Sequence, residues 1–282
     1  MDYSEIRAII GEPDAVAREA VRSTLWTLGF RKIADTPSLV KLHQAVRRET
    51  VNLIIFNSSM DGDDTTFITR EIRAGKLGSD PFVISIVLIA DKDASQAKFI
   101  ANSGADGALL FPISSEALVG KITSLSGPRK PFVVTHDYIG PERRAMPRPG
   151  SPSAKLIDVP NPLVARSAGD AEGYTAVRDI ARIKVFSERT SRLAAQLEWL
   201  AGSLRTGVPP DEDNLPLFHG IEEAGRELVS RTGGNPDAME AVNRLLSYAR
   251  LVRAERNAPS PSMLDELHAL ANGVAVMLPS SL

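Results

Sequence analysis

Leu53-Ile54-Ile55-Phe56-Asn57-Ser58-Ser59-Met60-Asp61-Gly62 is the stretch that decides the fold of the first half of this chain. Val51 to Phe56 is almost wholly apolar, as a central strand covered on both faces should be. The apolar run stops at Asn57, and short polar residues follow. In an open parallel sheet, the carboxyl end of such a strand is where a site forms.

On either side, short apolar runs alternate with amphipathic stretches, which argues for βα units around a parallel sheet. Upstream, Ile6 to Ile10 reads as the first strand. Asp14 to Leu28 reads as a helix with Val16, Ala20, Val21, Leu25 and Leu28 on one face, closed by Gly29. Lys32 to Ala34 is a short second strand, and Ser38 to Arg48 is a helix carrying Leu39, Leu42 and Val46. Downstream, helices are predicted at Thr65 to Ala74, Ala94 to Asn102 and Ser115 to Leu125. Strands are predicted at Phe82 to Ala90 and Gly107 to Phe111. Residues 1–126 therefore read as an α/β domain with a five-stranded doubly wound parallel sheet.

Residues 127–171 change character. Eight of the 19 prolines fall here, too many for continuous helix or central strand. The segment reads as an extended, proline-rich linker, ordered in part around Phe132-Val133-Val134 and Tyr138-Ile139. From Tyr174 the pattern turns helical. Val177, Ile180, Ile183, Phe186, Leu193, Leu197, Leu200 and Leu204 recur at three- and four-residue steps, giving roughly eight turns. Pro209-Pro210 break this helix. Further helices are predicted from Pro216 to Val229, Pro236 to Arg256 and Met263 to Leu278. Residues 172–282 thus read as a small all-α bundle, because one helix cannot bury its apolar face alone.

Composition narrows the function classes. The chain has 282 residues, 43% hydrophobic and 24% charged, which is ordinary for a globular protein of two modest domains. A formal net charge of −2 supplies no electrostatic drive toward nucleic acid or anionic membrane. The absence of cysteine removes disulfides, thiolate catalysis and thiolate metal sites together. No stretch approaches the roughly 18–20 apolar residues of a membrane helix. Met1-Asp2-Tyr3-Ser4-Glu5 does not begin a secretory signal, so a cytoplasmic location is expected.

The first domain resembles the response-regulator receiver (CheY-like) family over about 120 residues, in element order throughout. The carrying residues are Ile9-Ile10-Gly11-Glu12 with Arg18-Glu19, the Leu53 to Gly62 stretch, and Gly104-Ala105-Asp106-Gly107-Ala108 leading to Phe111-Pro112. The resemblance implies an acidic Mg²⁺ pocket at the strand ends. Two acids follow the first strand and a phosphoacceptor aspartate ends the third. A hydroxyl after the fourth strand and a lysine after the fifth read the phosphorylated state.

Carried over residue by residue, that pocket is degenerate. Glu12 keeps the first acid, Pro13 occupies the second, and Asp14 is displaced by one. Asn57 stands at the acceptor position, where an amide is neither a good nucleophile nor an anionic ligand for a hard cation. The hydroxyl position falls at Ile89, just before Ala90. The lysine position falls at Phe111, followed by the expected Pro112. No metal, no cofactor and no stable phosphoaspartate are therefore expected. Asp61, Asp63 and Asp64 stand nearby as alternative acceptors should the strand end be misaligned. Ile89 and Phe111 are expected to fill the former pocket.

Other features carry competing readings. Arg143, Arg144 and Arg148 lie in Glu142-Arg143-Arg144-Ala145-Met146-Pro147-Arg148. This looks like the arginine motif of PilZ domains, which would make the chain a cyclic-dinucleotide sensor, since guanidinium forks suit phosphate. The other reading is a basic linker or a docking segment folded back on the first domain. His268-Ala269-Leu270-Ala271-Asn272-Gly273 loosely echoes a histidine-phosphotransfer helix, with His219 as the other histidine of that half. The Val177–Leu204 stripe is either bundle core or a self-association surface over residues 174–205, with Trp199 as an aromatic anchor.

Phosphate loops, zincin motifs and nucleophile elbows are missing, and no helix-turn-helix reader is evident. Enzymatic activity, membrane insertion and nucleic-acid binding are not expected. The receiver resemblance implies instead a non-phosphorylatable adaptor binding signalling proteins such as a kinase or regulator. Its docking face would be formed by the fourth helix, fifth strand and fifth helix, with Phe99 and Phe111 on it.

Overall fold

The computed structural model describes residues 1–89, 100–143, 155–206, 214–255 and 259–278. The chain forms two compact units, Met1–Val185 and Phe186–Leu282.

In the first unit, β1 (Arg7–Gly11), β2 (Lys32–Thr36), β3 (Leu53–Asn57), β6 (Ile84–Ile89) and β7 (Gly107–Leu110) form one sheet. Their order is β2-β1-β3-β6-β7, all parallel, so the chain is doubly wound with β1 and β3 side by side at the switch point. Helices α1 (Ala15–Thr27), α2 (Leu39–Arg48), α3 (Phe67–Arg73) and α4 (Ser115–Leu125) flank it. Of the helix expected at Ala94 to Asn102, residues 100–102 are helical and 94–99 lie outside the described residues. The five-stranded α/β fold and the helical region after it are as the sequence pattern predicted.

The apolar run at β3 is divided by the two-residue period of a strand. Ile54 and Phe56 join Leu42, Val46, Ile68 and Val87 on one face of the sheet. Leu53 and Ile55 join Val21, Leu25, Ile86 and Leu118 on the other. Each fully buried aliphatic side chain contributes about 1.5–3 kcal/mol. The buried face of α1 differs from the predicted one: Val21, Thr24 and Leu25 are buried, whereas Ala20 is exposed and Val16 is 79% exposed. Five residues from Val21, Val16 is rotated well away from the buried stripe.

The described residues of the segment 127–171, which are 127–143 and 155–171, do not form an extended linker. The apolar runs noted within it form strands β8 (Phe132–Val134) and β9 (Ile139–Pro141), joined by β10 (Leu156–Ile157). Together they make a three-stranded antiparallel sheet in the order β10-β8-β9. Helix α5 (Pro162–Ser167) follows, capped by the Asn161 side chain on the Leu163 N–H, and Leu163 enters the α1/α4 core. The segment belongs to the first unit, which extends to Val185 rather than ending near residue 126. Proline excludes central strands and helix interiors, but it leaves short strands of three residues or fewer open.

Helix α6 (Ala171–Thr206) is 36 residues long. In the second unit, α7 (Leu215–Arg231), α8 (Pro236–Ala254) and α9 (Pro261–Met277) pack with its Leu193, Leu197, Leu200 and Leu204 around one core. Asn235 and Ser260 cap α8 and α9, each with proline in the first turn.

Candidate functional site

The strand ends of β1 and β3 bring Glu12 and Asn57 together. The Asn57 amide Nδ2 donates to Glu12 Oε2 at 3.0 Å, and its Oδ1 accepts the Ser59 N–H at 3.1 Å. Glu12 is buried, and its other oxygen accepts the Asp14 N–H at 2.9 Å. An amide both donates and accepts, so one side chain bridges an acid and a backbone N–H. A carboxylate at position 57 could keep only the second of those bonds.

The neighbouring acids are engaged elsewhere. Pro13 is exposed, and Asp14 is the N-cap of α1, accepting the Ala17 N–H at 2.7 Å. Asp61 takes a positive φ of 55° and accepts the Leu39 N–H at 2.9 Å, capping α2, whose own Ser38 makes no side-chain cap bond. Asp64 accepts the Thr66 N–H and hydroxyl at the entrance to α3. Asp61-Gly62 also forms the two-residue turn of a small hairpin, β4 (Ser59–Met60) with β5 (Asp63–Asp64). Asp-Gly is a recognised hairpin signal, and it was legible in the sequence. Met60, 1% exposed, packs into the core beside Leu42 and fixes the register of this loop.

Of the two residues expected to fill the pocket, Ile89 is 6% exposed within the α2/α3 core, and Phe111 packs half-buried against the α1/α4 core. They are linked through the backbone, the Phe111 N–H donating to the Ile89 carbonyl at 2.8 Å. Ala90 lies outside the described residues, and Pro112 follows Phe111 through a cis peptide bond. Among the described residues, no group of three or more His, Asp or Glu side chains is placed to hold a metal ion.

A second polar centre was not anticipated from sequence. At the amino-terminal ends of β6 and β7, the Asp106 carboxylate meets Arg73 at 2.7 Å and Arg129 at 2.9 Å, with all three side chains 5% exposed or less. Arg73 also donates to the carbonyls of Gly104, Pro81 and Val83. Both guanidiniums lie over the Phe132 ring, at 5.2 and 5.0 Å from its centroid. Burial pushes the Arg73 guanidinium down from its usual value, against the attraction of Asp106. Nearby, the Tyr174 hydroxyl donates to buried Asp80 at 2.6 Å. Burial and the Asp80 charge push that phenol well up.

The arginine motif divides. Arg143 donates to the Tyr138 hydroxyl at 3.2 Å and to the Ala105 carbonyl, so it is folded back onto the first domain. Arg144 and Arg148 lie outside the described residues, as does Phe99. A cleft of about 730 Å³ in the same unit is walled by Val159, Pro160, Val164, Ala165, Ala168 and Val177. The polar side chains of Asn161, Asp170 and Tyr174 at its wall are all bonded to protein groups.

In the second unit Trp199 is 66% exposed and takes no part in the bundle core. His219 is exposed on α7. His268 is half-buried beside Gly202, and its Nδ1 is buried without a hydrogen-bond partner among the described residues. Glu227 bridges Arg189 and Arg231 at 2.9 and 2.8 Å.

No family model matches the chain, and no curated protein matches it. Solved structures similar to it cover its amino-terminal part. One is a CheY-like response regulator receiver domain protein from Methanospirillum hungatei, 18% identical over 43% of this chain and 93% of that chain, TM-score 0.39. Another is the chemotaxis response regulator CheY4 of Vibrio cholerae, 15% identical over 42% and 97%, TM-score 0.38. A third is the receiver domain of a sensor histidine kinase from Pseudomonas aeruginosa, described with a magnesium ion in its active-site cleft, 19% identical over 42% and 95%, TM-score 0.38. These likenesses concern the fold. Among the described residues, no helix is long and apolar enough to cross a membrane.

Proposed function

We propose that this chain is a response-regulator-like signalling protein whose receiver-like domain does not accept a phosphoryl group and acts by binding other signalling proteins. The observation that carries the reading is the Asn57–Glu12 hydrogen bond, which occupies the acid and the acceptor position with each other. It is supported by the commitment of Asp14, Asp61 and Asp64 to helix starts. The sequence resemblance, which assigns the hydroxyl and lysine positions to apolar Ile89 and Phe111, supports the same reading. A signal would then enter through binding rather than through covalent chemistry.

The test is incubation of the full chain with acetyl phosphate, or with beryllofluoride, in the presence and absence of Mg²⁺. The expected result is no mass adduct and no change in intrinsic fluorescence. A Mg²⁺-dependent adduct or shift would overturn the proposal, and its loss on Asn57→Ala, Asp61→Ala, Asp63→Ala or Asp64→Ala would locate the acceptor. Binding is tested by pull-down with the full chain and with an Asn57→Ala variant, which should retain the same partners.

A further inference from the structure

Helix α6 carries a heptad seam, of which the described residues of each unit bury the carboxyl-terminal part and leave the part near Ile180 exposed. In heptad steps from Ala176 the seam passes Ile180 and Ile183, then Ser187 and Thr190, and later Leu197, Ala201 and Leu204. The last three are at most 3% exposed in the core formed with α7, α8 and α9. Ile180 and Ile183 are 56% and 67% exposed, and Val177 beside them is 53% exposed. The opposite side of the same turns is not bare, since Ala181 and Val185 are buried. Three large aliphatic side chains on one helical face, left in water, are a surface that wants a partner.

We propose that a second copy of this chain covers that surface, as a parallel, in-register coiled coil over residues 176–187. The charges flanking the seam select this occupant. With Ile180 at position a and Ile183 at d, Asp179 falls at g, its Oδ1 accepting from Arg178 at 2.9 Å and its side chain 43% exposed, and exposed Lys184 falls at e. In a parallel pair each g residue faces the e residue five positions on in the other helix. Asp179 therefore meets Lys184 of the second copy, twice by symmetry. An antiparallel pair sets g against g and e against e, which opposes like charges. The bare seam is short compared with the roughly 800 Å² per partner of a stable interface, so the association is reversible and concentration-dependent. It is independent of whether the receiver-like domain accepts phosphate.

Sedimentation of the full chain across the micromolar range is expected to show a shift from one to two copies. Ile180→Asp with Ile183→Asp keeps the chain monomeric without changing its circular dichroism. Lys184→Glu weakens association about tenfold, and adding Asp179→Lys restores it. Because the chain has no cysteine, a single introduced thiol reports the geometry. Ile183→Cys, on the seam, forms a disulfide-linked dimer on mild oxidation, while Arg182→Cys, exposed and off the seam, does not. A monomer at every concentration, an assembly larger than two, or equal cross-linking at residues 182 and 183 would overturn the proposal.

Discussion

Arg129 places its guanidinium 2.9 Å from the carboxylate of Asp106, and both side chains are at least nine-tenths buried. The pair joins the proline-rich segment to the start of the last strand of the five-stranded parallel sheet. Asp106 also holds Arg73, so one carboxylate compensates two buried cations and orders the amino-terminal ends of β6 and β7. The proline-rich segment is thereby a structural part of the first unit.

Replacing Asp106 by alanine leaves two guanidiniums buried without their carboxylate. Removing one partner of a buried pair costs about 3–5 kcal/mol. Urea unfolding of Asp106→Ala should show that loss in the first transition, and limited proteolysis should open the segment around residues 130–142.

Asn57→Asp sets a second carboxylate within reach of Glu12 and removes the hydrogen bond between them. The variant should lose about 1–3 kcal/mol at neutral pH in metal-free buffer. The deficit comes from two like charges held side by side, so it is largest where both carboxylates are ionised and fades on acidification. Thermal melts from pH 4 to 8 should show the variant converging with wild type at the acid end.

In the second unit, burial pushes the Glu227 carboxyl up, and the guanidiniums of Arg189 and Arg231 outweigh it, holding it at about 2 against an ordinary 4.5. A depressed carboxylate adds stability above its unfolded pKa and loses it as pH falls through its folded one. The difference corresponds to about 3 kcal/mol at neutral pH. Glu227→Gln should remove most of this and flatten the acid limb of the unfolding profile between roughly pH 4.5 and 2.

Tyr174→Phe deletes the hydrogen bond to Asp80, which is 4% exposed and also accepts the Phe82 N–H. The expected cost is about 1–3 kcal/mol. Hydrogen exchange should quicken in the first turns of α6.

Gly104 has a φ of +81°, and a Cβ there would collide with the Ile139 carbonyl of β9. Gly104→Ala combines that collision with a backbone conformation disfavoured for L residues by roughly 1 kcal/mol or more. Weakened docking of β9 should appear as faster proteolysis near Tyr138 with α1 and α4 unaffected.

Much of this was legible in the residues. The strand at Leu53–Asn57, the helix at Ser115–Leu125 and the four helices after residue 171 follow from local periodicity. The identity of Asn57 is itself a chemical statement. The caps were harder to read: Asp61 serves a helix that begins 22 positions earlier, so the sequence shows an acid without showing its use. The linker reading failed for a related reason. Proline density reports what a segment cannot be, and not what it packs against.

The sequence by itself determined the order of βα units, the helical second half and the presence of an amide rather than a carboxylate at position 57, because those depend on periodicity and on single side chains. Only the tertiary structure decided that Asn57 is bonded to Glu12, 45 positions away, that Arg129 reaches back to Asp106, and that α6 buries one part of its seam while Ile180 and Ile183 stay in water. Those outcomes turn on which distant groups come within 3 Å of one another, and local composition carries no record of that.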